Sequence, residues 1–427
     1  MDIYRVKPMK RNSVVTVSVP GSKSITNRSL LMASLAKGTS YLKGVLFSDD
    51  SRYFLSCLES LGFKINIDEE NAAVSVEGCD GNIPNKEAEI YVGSAGTAAR
   101  FLTCMCGLSS GTYVINASEQ MKRRPMKPLM DALINLGAKI EYIEQEDHLP
   151  IKITGCGGIE GRKKVELDIS SSTQFLSALL MTSVMLKDGL DIIITSNKKF
   201  GSYIGITMKM MEQFGLKVEF DGENYHTKAK AEYEAKEYQI EPDISAACYF
   251  FAMAAVTSSS IKVLNVSRDS MQGDIRFLEV LEKMGCSVSF AIDGVVVEGP
   301  EGNLKGIEVD MNNFSDQAMT LAAIAILADS DTKITGIGHI RLQESDRLSA
   351  IVNELTRLGI ENEHGDDWVI IHPGAPIPAE IETYEDHRMA MAFTLVGLVY
   401  NGIAIKNPMC CRKTFENYFD IIDEICN

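Results

Sequence analysis

The sequence has few basic residues for its size and no long hydrophobic run. Of its 427 residues, 42 are lysine or arginine and 58 are aspartate or glutamate, giving a formal net charge of −16. This balance argues against a nucleic-acid partner, which binds a basic face. The longest apolar stretches, such as QAMTLAAIAILA, reach only about a dozen residues and are too short to span a membrane. Because MDIYRVKPMKR also lacks the apolar segment of a secretory signal, we expect a cytoplasmic protein with no membrane partner.

Cysteine is present, but in no pattern that indicates disulfides or a metal site. The ten cysteines show no CxxC spacing, and no histidine cluster accompanies the close pairs Cys104/Cys106 and Cys410/Cys411. A chain of this length can bury a hydrophobic core without covalent cross-links. We therefore predict free thiols and no metal.

The chain contains an internal repeat of about 70 residues. One sequence pattern recurs as LESLGFKI, LINLGAKI, MEQFGLKV, LEKMGCSV and LTRLGIEN. It consists of a helix end, a glycine and the start of a strand. Its glycines are predicted to adopt the left-handed conformation that follows a helix; they are Gly62, Gly137, Gly215, Gly285 and Gly359. A second phrase, a polar start followed by an apolar helix and a β-rich run, occurs six times. It begins near Ser24, Ser94, Ser172, Ser245, Ser315 and Asp386.

The six apolar helices are hydrophobic on nearly all sides, so we expect them to be buried, with strands outside them. Their polar amino ends would then attract anions, because each helix dipole stabilises a nearby negative group by about 0.3–1 kcal/mol. The first strand, SVVTVSVP, has no preceding helix, and the last helix, FENYFDIIDEI, has no following strand. The two ends of the chain are therefore expected to complete one repeat together.

Cations recur at or near these helix starts. PGSKSITNR places Lys23 and Arg28 where the helix dipole repels positive charge unless an anion is bound. GSAGTAAR and MKRRP add glycines and further arginines, and SSSTQF adds hydroxyls and an amide. Taken singly, each motif is equally well explained as a helix cap, a turn or exposed surface charge.

Two carboxylates accompany the cations. Asp316 of FSDQAM stands where a capping aspartate would stand, and Glu344 of RLQESDR is three residues from Arg347, the spacing of a helical ion pair. YEDHRMAM and MCCRKTF contribute Arg388 and Lys413. Five repeats offer a cation and two offer a carboxylate, and this combination predicts an anion site that also performs proton transfer.

These motifs, in this order, resemble those of the EPSP synthase (3-phosphoshikimate 1-carboxyvinyltransferase) family. PGSKS-x-x-NR and DHRMAM are the most specific, and the resemblance runs nearly from end to end. It implies an α/β fold, a two-domain inside-out α/β barrel with six repeats of a β/α unit around buried helices. Domain one would comprise residues 1–20 and 241–427, and domain two residues 21–240, with the active site in the cleft between them.

The resemblance also implies the reaction. The enolpyruvyl group of phosphoenolpyruvate would move to the 5-hydroxyl of shikimate 3-phosphate, releasing inorganic phosphate, with no metal or organic cofactor. Separately, we expect the protein to be a monomer. Asp316 would be the base at the hydroxyl, Glu344 would transfer a proton at the methylene carbon, and Lys23 would stabilise the departing phosphate. The residues implied for phosphoenolpyruvate are Lys23, Gly96, Arg124, Gln174, Arg347, Arg388 and Lys413. Those implied for shikimate 3-phosphate are Lys23, Ser24, Arg28, Ser172, Thr173, Gln174, Asp316 and Gln343.

The chain departs from the family pattern at several positions. Gln343 stands where the family usually has lysine, and Arg341 is a candidate to supply the missing charge. Ser94 replaces an asparagine, and Thr173 replaces a serine. A phosphate-binding serine of the family aligns with Phe200, and Ser202 follows two residues later, so the sequence leaves that contact open.

Two other functions could use a similar set of residues. UDP-N-acetylglucosamine enolpyruvyl transferases resemble the chain in fold and co-substrate, but they use a loop cysteine, and residues 111–125 contain none. A non-catalytic protein that binds phosphorylated metabolites would need the same cations. The carboxylates Asp316 and Glu344 argue against it, because they would only weaken anion binding.

Overall fold

The computed structural model describes residues 2–157, 161 and 163–427. The chain divides into two compact units. Unit 1 comprises Met1–Pro20 and Glu241–Asn427, and unit 2 comprises Gly21–Ile240. The two ends of the chain lie in the same unit, where the Tyr4 hydroxyl donates a hydrogen bond of 2.9 Å to Asp423.

The described residues form the following elements. The helices are α1 (Lys23–Leu35), α2 (Asp49–Ser60), α3 (Gly96–Leu108), α4 (Glu119–Lys122), α5 (Lys127–Asn135), α6 (Gln174–Thr182), α7 (Ser202–Gln213), α8 (Ile244–Thr257), α9 (Phe277–Lys283), α10 (Ala318–Ala325), α11 (Arg347–Arg357), α12 (His387–Gly397) and α13 (Tyr418–Cys426). The 3-10 helices are Ser183–Met185, Gly273–Arg276, Ser315–Gln317, Gly338–Leu342 and Pro408–Lys413. The strands are β1 (Ile3–Arg5), β2 (Val14–Val17), β3 (Lys37–Lys43), β4 (Lys64–Asp68), β5 (Ala73–Cys79), β6 (Glu87–Tyr91), β7 (Thr112–Asn116), β8 (Lys139–Tyr142), β9 (Ile151–Thr154), β10 (Lys163–Leu167), β11 (Leu190–Ile194), β12 (Glu219–Phe220), β13 (Asn224–His226), β14 (Glu237–Gln239), β15 (Ser260–Leu264), β16 (Ser287–Ala291), β17 (Gly294–Glu298), β18 (Glu308–Asp310), β19 (Thr332–Thr335), β20 (Asn362–His364), β21 (Val369–Ile371), β22 (Ala379–Ile381) and β23 (Ile403–Lys406).

Among the described residues, each unit contains three small sheets with a common strand pattern. The sheets of unit 2 have the orders β10-β11-β13-β12, β14-β3-β5-β4 and β6-β7-β9-β8. In each of them the first pair is parallel and the next two pairs are antiparallel. Two sheets of unit 1, β2-β15-β17-β16 and β18-β19-β21-β20, repeat this pattern, and the third has the order β22-β23-β1. The six sheets confirm the sixfold repeat predicted from the sequence.

The apolar helices form the centre of each unit, as predicted. In unit 2, α1, α3 and α6 contact one another, and in unit 1, α8, α10 and α12 do so. Every residue of α3, α10 and α12 is buried, because apart from Arg100, His387 and Arg388 these helices carry mainly apolar or small residues on all faces. The five glycines predicted to end helices have φ between 74° and 103°, the left-handed region that only glycine adopts readily.

The thiols also follow the prediction. All ten cysteines are free. Burial raises the pKa of Cys286 to about 12, so this thiol is protonated at neutral pH. Within the described part of the chain, no helix is both long and apolar enough to cross a membrane.

Candidate active site

In unit 1, Asp316 lies at the point where three helices begin. It belongs to the 3-10 helix Ser315–Gln317 that leads into α10. Its Oδ1 accepts a hydrogen bond of 3.0 Å from Arg347 at the start of α11, and its Oδ2 accepts one of 2.8 Å from Arg388 at the start of α12. Asp316 is only 8% exposed. The structure therefore places this carboxylate between two arginines, a pairing that the sequence motifs did not predict.

Arg347 is held by a second buried carboxylate. Its Nε lies 2.8 Å from Oδ2 of Asp386, which is the N-cap of α12 and also accepts a hydrogen bond from the Arg388 backbone N–H. Burial by itself would lower the pKa of Arg347, but Asp386 and then Asp316 outweigh this effect and raise it. The guanidinium thus stays charged although it is almost fully buried. The sequence analysis did not assign Asp386, although it marks the polar start of the sixth apolar helix.

Gln343 contacts this group, whereas Arg341 contacts a different carboxylate. The Gln343 side-chain oxygen accepts a hydrogen bond from Arg347 Nη1. Arg341 instead pairs with Asp346, with its Nη1 3.1 Å from Oδ2, and donates to the carbonyl oxygens of Gly365 and Asp366. Arg341 is thus held by Asp346 and two backbone carbonyl oxygens of unit 1, and its compensation for Gln343 stays a prediction.

Glu344 has a different set of partners. Its Oε2 lies 3.3 Å from Lys413 Nζ and 3.1 Å from His387 Nδ1. The helical ion pair of Glu344 with Arg347 is wrong, because Asp346 caps α11 and Glu344 precedes the helix. His387 is a residue that the sequence analysis missed, although it stands between Asp386 and Arg388 in the DHR motif and is only 1% exposed.

Glu344, Asp386 and His387 offer three potential metal ligands within 4.8 Å of one another. Lys413 already contacts Glu344, and Arg347 already contacts Asp386. A metal ion would have to compete with these two positive charges, so the group is better suited to moving protons than to holding a cation.

In unit 2, Lys23 begins α1 beside a buried carboxylate. Its Nζ lies 3.3 Å from Oδ2 of Asp50 in α2, a residue not predicted from the sequence. The N-cap residue Ser22 makes no side-chain hydrogen bond to the first turn. The start of α1 thus combines amide groups and an ammonium group, both of which attract an anion.

Arg28 is directed into the interior of unit 2. Its guanidinium donates to Thr207 Oγ1 at 2.8 Å, to the Ser24 carbonyl oxygen at 2.9 Å and to the Tyr203 carbonyl oxygen at 3.2 Å. Burial lowers the pKa of Arg28 to about 10. These contacts join α1 to α7, while a role for Arg28 in substrate binding stays a prediction.

Gly96, the first residue of α3, allows two guanidinium groups to approach each other. A Cβ atom at Gly96 would lie 2.5 Å from Arg124 Nη1 and 2.6 Å from Arg100 Nη1. Arg100 is 3% exposed, and its Nε has no hydrogen-bond partner among the described residues. Burial, and next the charge of Arg124, lowers the pKa of Arg100 well below its usual value. A buried arginine beside a partly buried one indicates an anion site, and the sequence analysis assigned only Arg124 to it.

The start of α6 carries the remaining predicted polar groups. Thr173 is its N-cap residue, and Ser172 Oγ accepts a hydrogen bond of 3.2 Å from the Gln174 backbone N–H. The Gln174 side-chain oxygen is buried without a hydrogen-bond partner among the described residues. Ser202 begins α7, and Phe200 is 46% exposed. A phosphate contact of Ser202 stays a prediction.

A sequence profile of EPSP synthase (3-phosphoshikimate 1-carboxyvinyltransferase) matches residues 9–422. The chain belongs to the EPSP synthase family. It is 44% identical over 420 residues to the 3-phosphoshikimate 1-carboxyvinyltransferase of Trichormus variabilis, covering 98% of each chain. It is 41% identical over 409 residues to the corresponding protein of Erwinia tasmaniensis, covering 95% of this chain and 94% of the other.

The fold is also similar to those of solved structures. An EPSP synthase from Acinetobacter baumannii matches 100% of this chain and 98% of its own with a TM-score of 0.83 and 23% identity. The enolpyruvyl transferase NikO from Streptomyces tendae matches 99% of this chain and 97% of its own with a TM-score of 0.74 and 13% identity. The fold class, the EPSP synthase resemblance and the enzyme class predicted from the motifs are confirmed.

Proposed function

We propose that this EPSP synthase family member transfers the enolpyruvyl group of phosphoenolpyruvate to the 5-hydroxyl of shikimate 3-phosphate, and that both units contribute to the reaction. Unit 1 supplies the two carboxylates, and unit 2 supplies a set of anion-binding groups. Besides family membership, the positions of two carboxylates support this proposal. Asp316 lies 2.8–3.0 Å from the guanidinium groups of Arg388 and Arg347, and Glu344 lies 3.3 Å from the ammonium group of Lys413. Carboxylates so placed weaken simple anion binding, but they are needed to move protons.

Asp316 is the base. The 5-hydroxyl oxygen attacks C2 of phosphoenolpyruvate, and its proton passes to Asp316 as the new C–O bond forms. Arg347 and Arg388, which hold the two carboxylate oxygens, fix the direction of the remaining lone pairs. Their positive charges also favour the ionised carboxylate, which is the form that can accept a proton.

Glu344 transfers the second proton. The methylene carbon of phosphoenolpyruvate must gain a proton as C2 is attacked, and it must lose a proton when phosphate leaves. Lys413 and His387, both within 3.3 Å of Glu344, are groups that can pass that proton on. Proton transfer by a positioned side chain contributes about 10²–10⁴-fold to a rate.

The cations bind the phosphate and carboxylate groups of the substrates. For phosphoenolpyruvate we assign the guanidinium groups of Arg124, Arg347 and Arg388, because the arginine fork bonds such anions through two nitrogens. Lys413, Lys23, Gly96 and Gln174 complete this set. For shikimate 3-phosphate we assign Lys23, Ser24, Arg28, Ser172, Thr173, Gln174, Asp316 and Gln343. Lys23 serves both substrates and stabilises the phosphate that leaves.

A phosphate-release assay tests the proposal. The purified chain should release phosphate from phosphoenolpyruvate with shikimate 3-phosphate and not with UDP-N-acetylglucosamine. Release with the sugar nucleotide alone would select the related transferase. Failure to release phosphate with either acceptor, together with binding of shikimate 3-phosphate, would select a non-catalytic binding protein.

The remaining expectations concern the oligomeric state, the cellular location and the position of the active site. We propose a cytoplasmic monomer that binds neither nucleic acid nor membrane, which sedimentation velocity and cell fractionation can test. The active site is predicted to lie in a cleft between the two units. Fluorescent labels at Cys79 in unit 2 and Cys426 in unit 1, in a variant without other reactive thiols, should report a distance change when both substrates bind.

A further inference from the structure

One buried carboxylate of unit 1 has no part in the mechanism above. Asp274 belongs to the 3-10 helix Gly273–Arg276 and is 6% exposed. Its Oδ2 accepts a hydrogen bond of 2.9 Å from Gln317 Nε2 and another from the hydroxyl of Ser245. Ser245 lies in the first turn of α8, and Gln317 follows Asp316 directly. Asp274 therefore joins the start of α8 to the short helix that carries the base.

The charged and titratable groups that face Asp274 come from several elements. Asp316 faces it from the start of α10 and Arg388 from the start of α12. The Cys248 thiol of α8 donates to the Asp274 carbonyl oxygen at 3.6 Å and is kept protonated by burial and by the charge of Asp274. Burial, and next the negative charge of Asp316, raises the pKa of Asp274 to about 6, while Arg388, Ser245 and Gln317 oppose this rise.

The two arginines create a difficulty for catalysis that Asp274 can relieve. Positive charges at Arg347 and Arg388 favour the ionised form of Asp316, but they also make it a weaker proton acceptor. A general base works best when its proton affinity suits the operating pH. A second negative charge nearby raises the proton affinity of the first.

We propose that Asp274 is a positioning residue whose negative charge strengthens Asp316 as a base and whose hydrogen bond to Gln317 holds the Asp316 turn against α8. The proposal rests on the assignment of Asp316 as the base. The proton of the 5-hydroxyl still passes to Asp316. Asp274 itself makes and breaks no covalent bond with the substrates. When Asp274 itself binds a proton in acid, its charge is lost and Asp316 becomes a weaker acceptor.

The pH dependence of turnover tests this proposal, measured as phosphate release at saturating substrates between pH 5 and pH 9. Asp274→Asn keeps the shape of the side chain and removes the charge. We expect it to lower turnover at pH 8 by roughly 10-fold and to move the acid-side decline to lower pH by about one unit. The matched control is Asp293→Asn, an exposed aspartate of the same unit that pairs with Lys262; it should leave both quantities unchanged.

A second variant, Ser245→Ala, should shift the pH profile of turnover in the opposite direction. It still tests the proposal if Asp274→Asn does not fold. Ser245→Ala removes a hydrogen bond that stabilises the ionised form of Asp274. The acid-side decline of turnover should therefore move to higher pH, with little change at pH 8. A lower rate with an unchanged profile in Asp274→Asn, or a profile unmoved by Ser245→Ala, would overturn the proposal and leave Asp274 a purely structural residue.

An infrared titration separates this inference from the proposed function, because it does not depend on activity. The wild-type protein should show a carboxyl group that binds a proton near pH 6, and Asp274→Asn should lack it. If that band is present and disappears in the variant, but Asp316→Asn keeps its activity, the assignment of the base has failed. If the band survives in Asp274→Asn, Asp274 is not the group that titrates and the inference has failed.

Discussion

The side chains of Asp316 and Arg388 form a buried ion pair across 72 positions of the sequence, with Arg388 Nη2 2.8 Å from Asp316 Oδ2. Both belong to helix starts of unit 1, and Arg347 completes the group from a third helix. The pair holds a proton acceptor in one orientation among positive charges. It is the arrangement on which the assignment of the base depends.

Replacing the base should abolish most of the turnover while substrates still bind. We expect Asp316→Asn to lower turnover by about 10²–10⁴-fold, the range for a lost general base. Asparagine keeps the shape of the side chain, and its oxygen can still accept from one arginine. Rates of phosphate release and calorimetric binding of shikimate 3-phosphate measure the two effects. The exposed Glu308, as Glu308→Gln, is the control, and near-normal turnover of Asp316→Asn would refute the assignment.

Arg100 should destabilise the substrate-free protein. It should also contribute to the binding of anionic substrates. Its guanidinium is 3% exposed, and its Nε has no hydrogen-bond partner among the described residues. Burying such a charge is costly, so Arg100→Gln should raise the melting temperature of the protein alone. The same variant should lose most of the increase in melting temperature that phosphoenolpyruvate and shikimate 3-phosphate produce together. Thermal unfolding with and without the two substrates checks both effects, and a less stable variant would contradict the argument.

Gly96→Ala should weaken phosphoenolpyruvate binding more than it affects folding. The added methyl group would lie 2.5 Å from Arg124 Nη1 and 2.6 Å from Arg100 Nη1, so both guanidinium groups must move. We expect the KM for phosphoenolpyruvate to rise by roughly 10-fold, equivalent to about 1.4 kcal/mol, with a smaller change for shikimate 3-phosphate. Gly302→Ala, where a Cβ meets no atom within 4 Å, is the control. Equal changes for the two substrates would argue against a specific role of Gly96.

Gln343→Lys should strengthen the binding of shikimate 3-phosphate. The substitution restores the cation that the family usually has, next to a dianionic phosphate group. We expect the KM for shikimate 3-phosphate to fall by about 3- to 10-fold at low ionic strength, and the gain to shrink as salt is added. Leu342→Lys, which adds the same charge at an exposed neighbouring position, controls for net charge. A higher KM would show that the hydrogen bond from Arg347 to Gln343 matters more than the added charge.

His226 predicts a pH-dependent contribution to the stability of unit 2. Its Nδ1 lies 2.6 Å from Asp191 Oδ1 and its Nε2 lies 3.3 Å from Asp221 Oδ2. The hydrogen bonds to Asp191 and Asp221 raise the pKa of His226 in the folded state. Its contribution is therefore complete below the unfolded pKa near 6.5 and is lost as the pH rises through the folded pKa.

We expect His226→Gln to melt at a lower temperature than wild type at pH 6, by up to about 2–4 °C, and at the same temperature at pH 9. His148→Gln is the control, because His148 Nδ1 contacts only a backbone carbonyl oxygen, that of Glu146, among the described hydrogen bonds. A difference that grows with pH would contradict the sign of the effect.

Much of the fold could be predicted because its signals are local. A helix that is apolar on all faces must be buried, as α10 and α12 are, and a glycine after a helix end takes positive φ, as Gly62 and Gly285 do. Local reasoning failed where a helix start had to be placed exactly. The spacing of Glu344 and Arg347 suggested one helical face, but Asp346 caps α11 between them.

The sequence by itself determined the sixfold repeat, the buried helices and the cations and carboxylates at the helix starts, because each follows from the order of neighbouring residues. Only the tertiary structure decided which of these groups meet. Asp316 contacts Arg347 and Arg388, Glu344 contacts Lys413 and His387, and Arg100 approaches Arg124. Contacts between residues far apart in the chain depend on how the helices pack. Packing is a property of whole surfaces and cannot be read from any one motif.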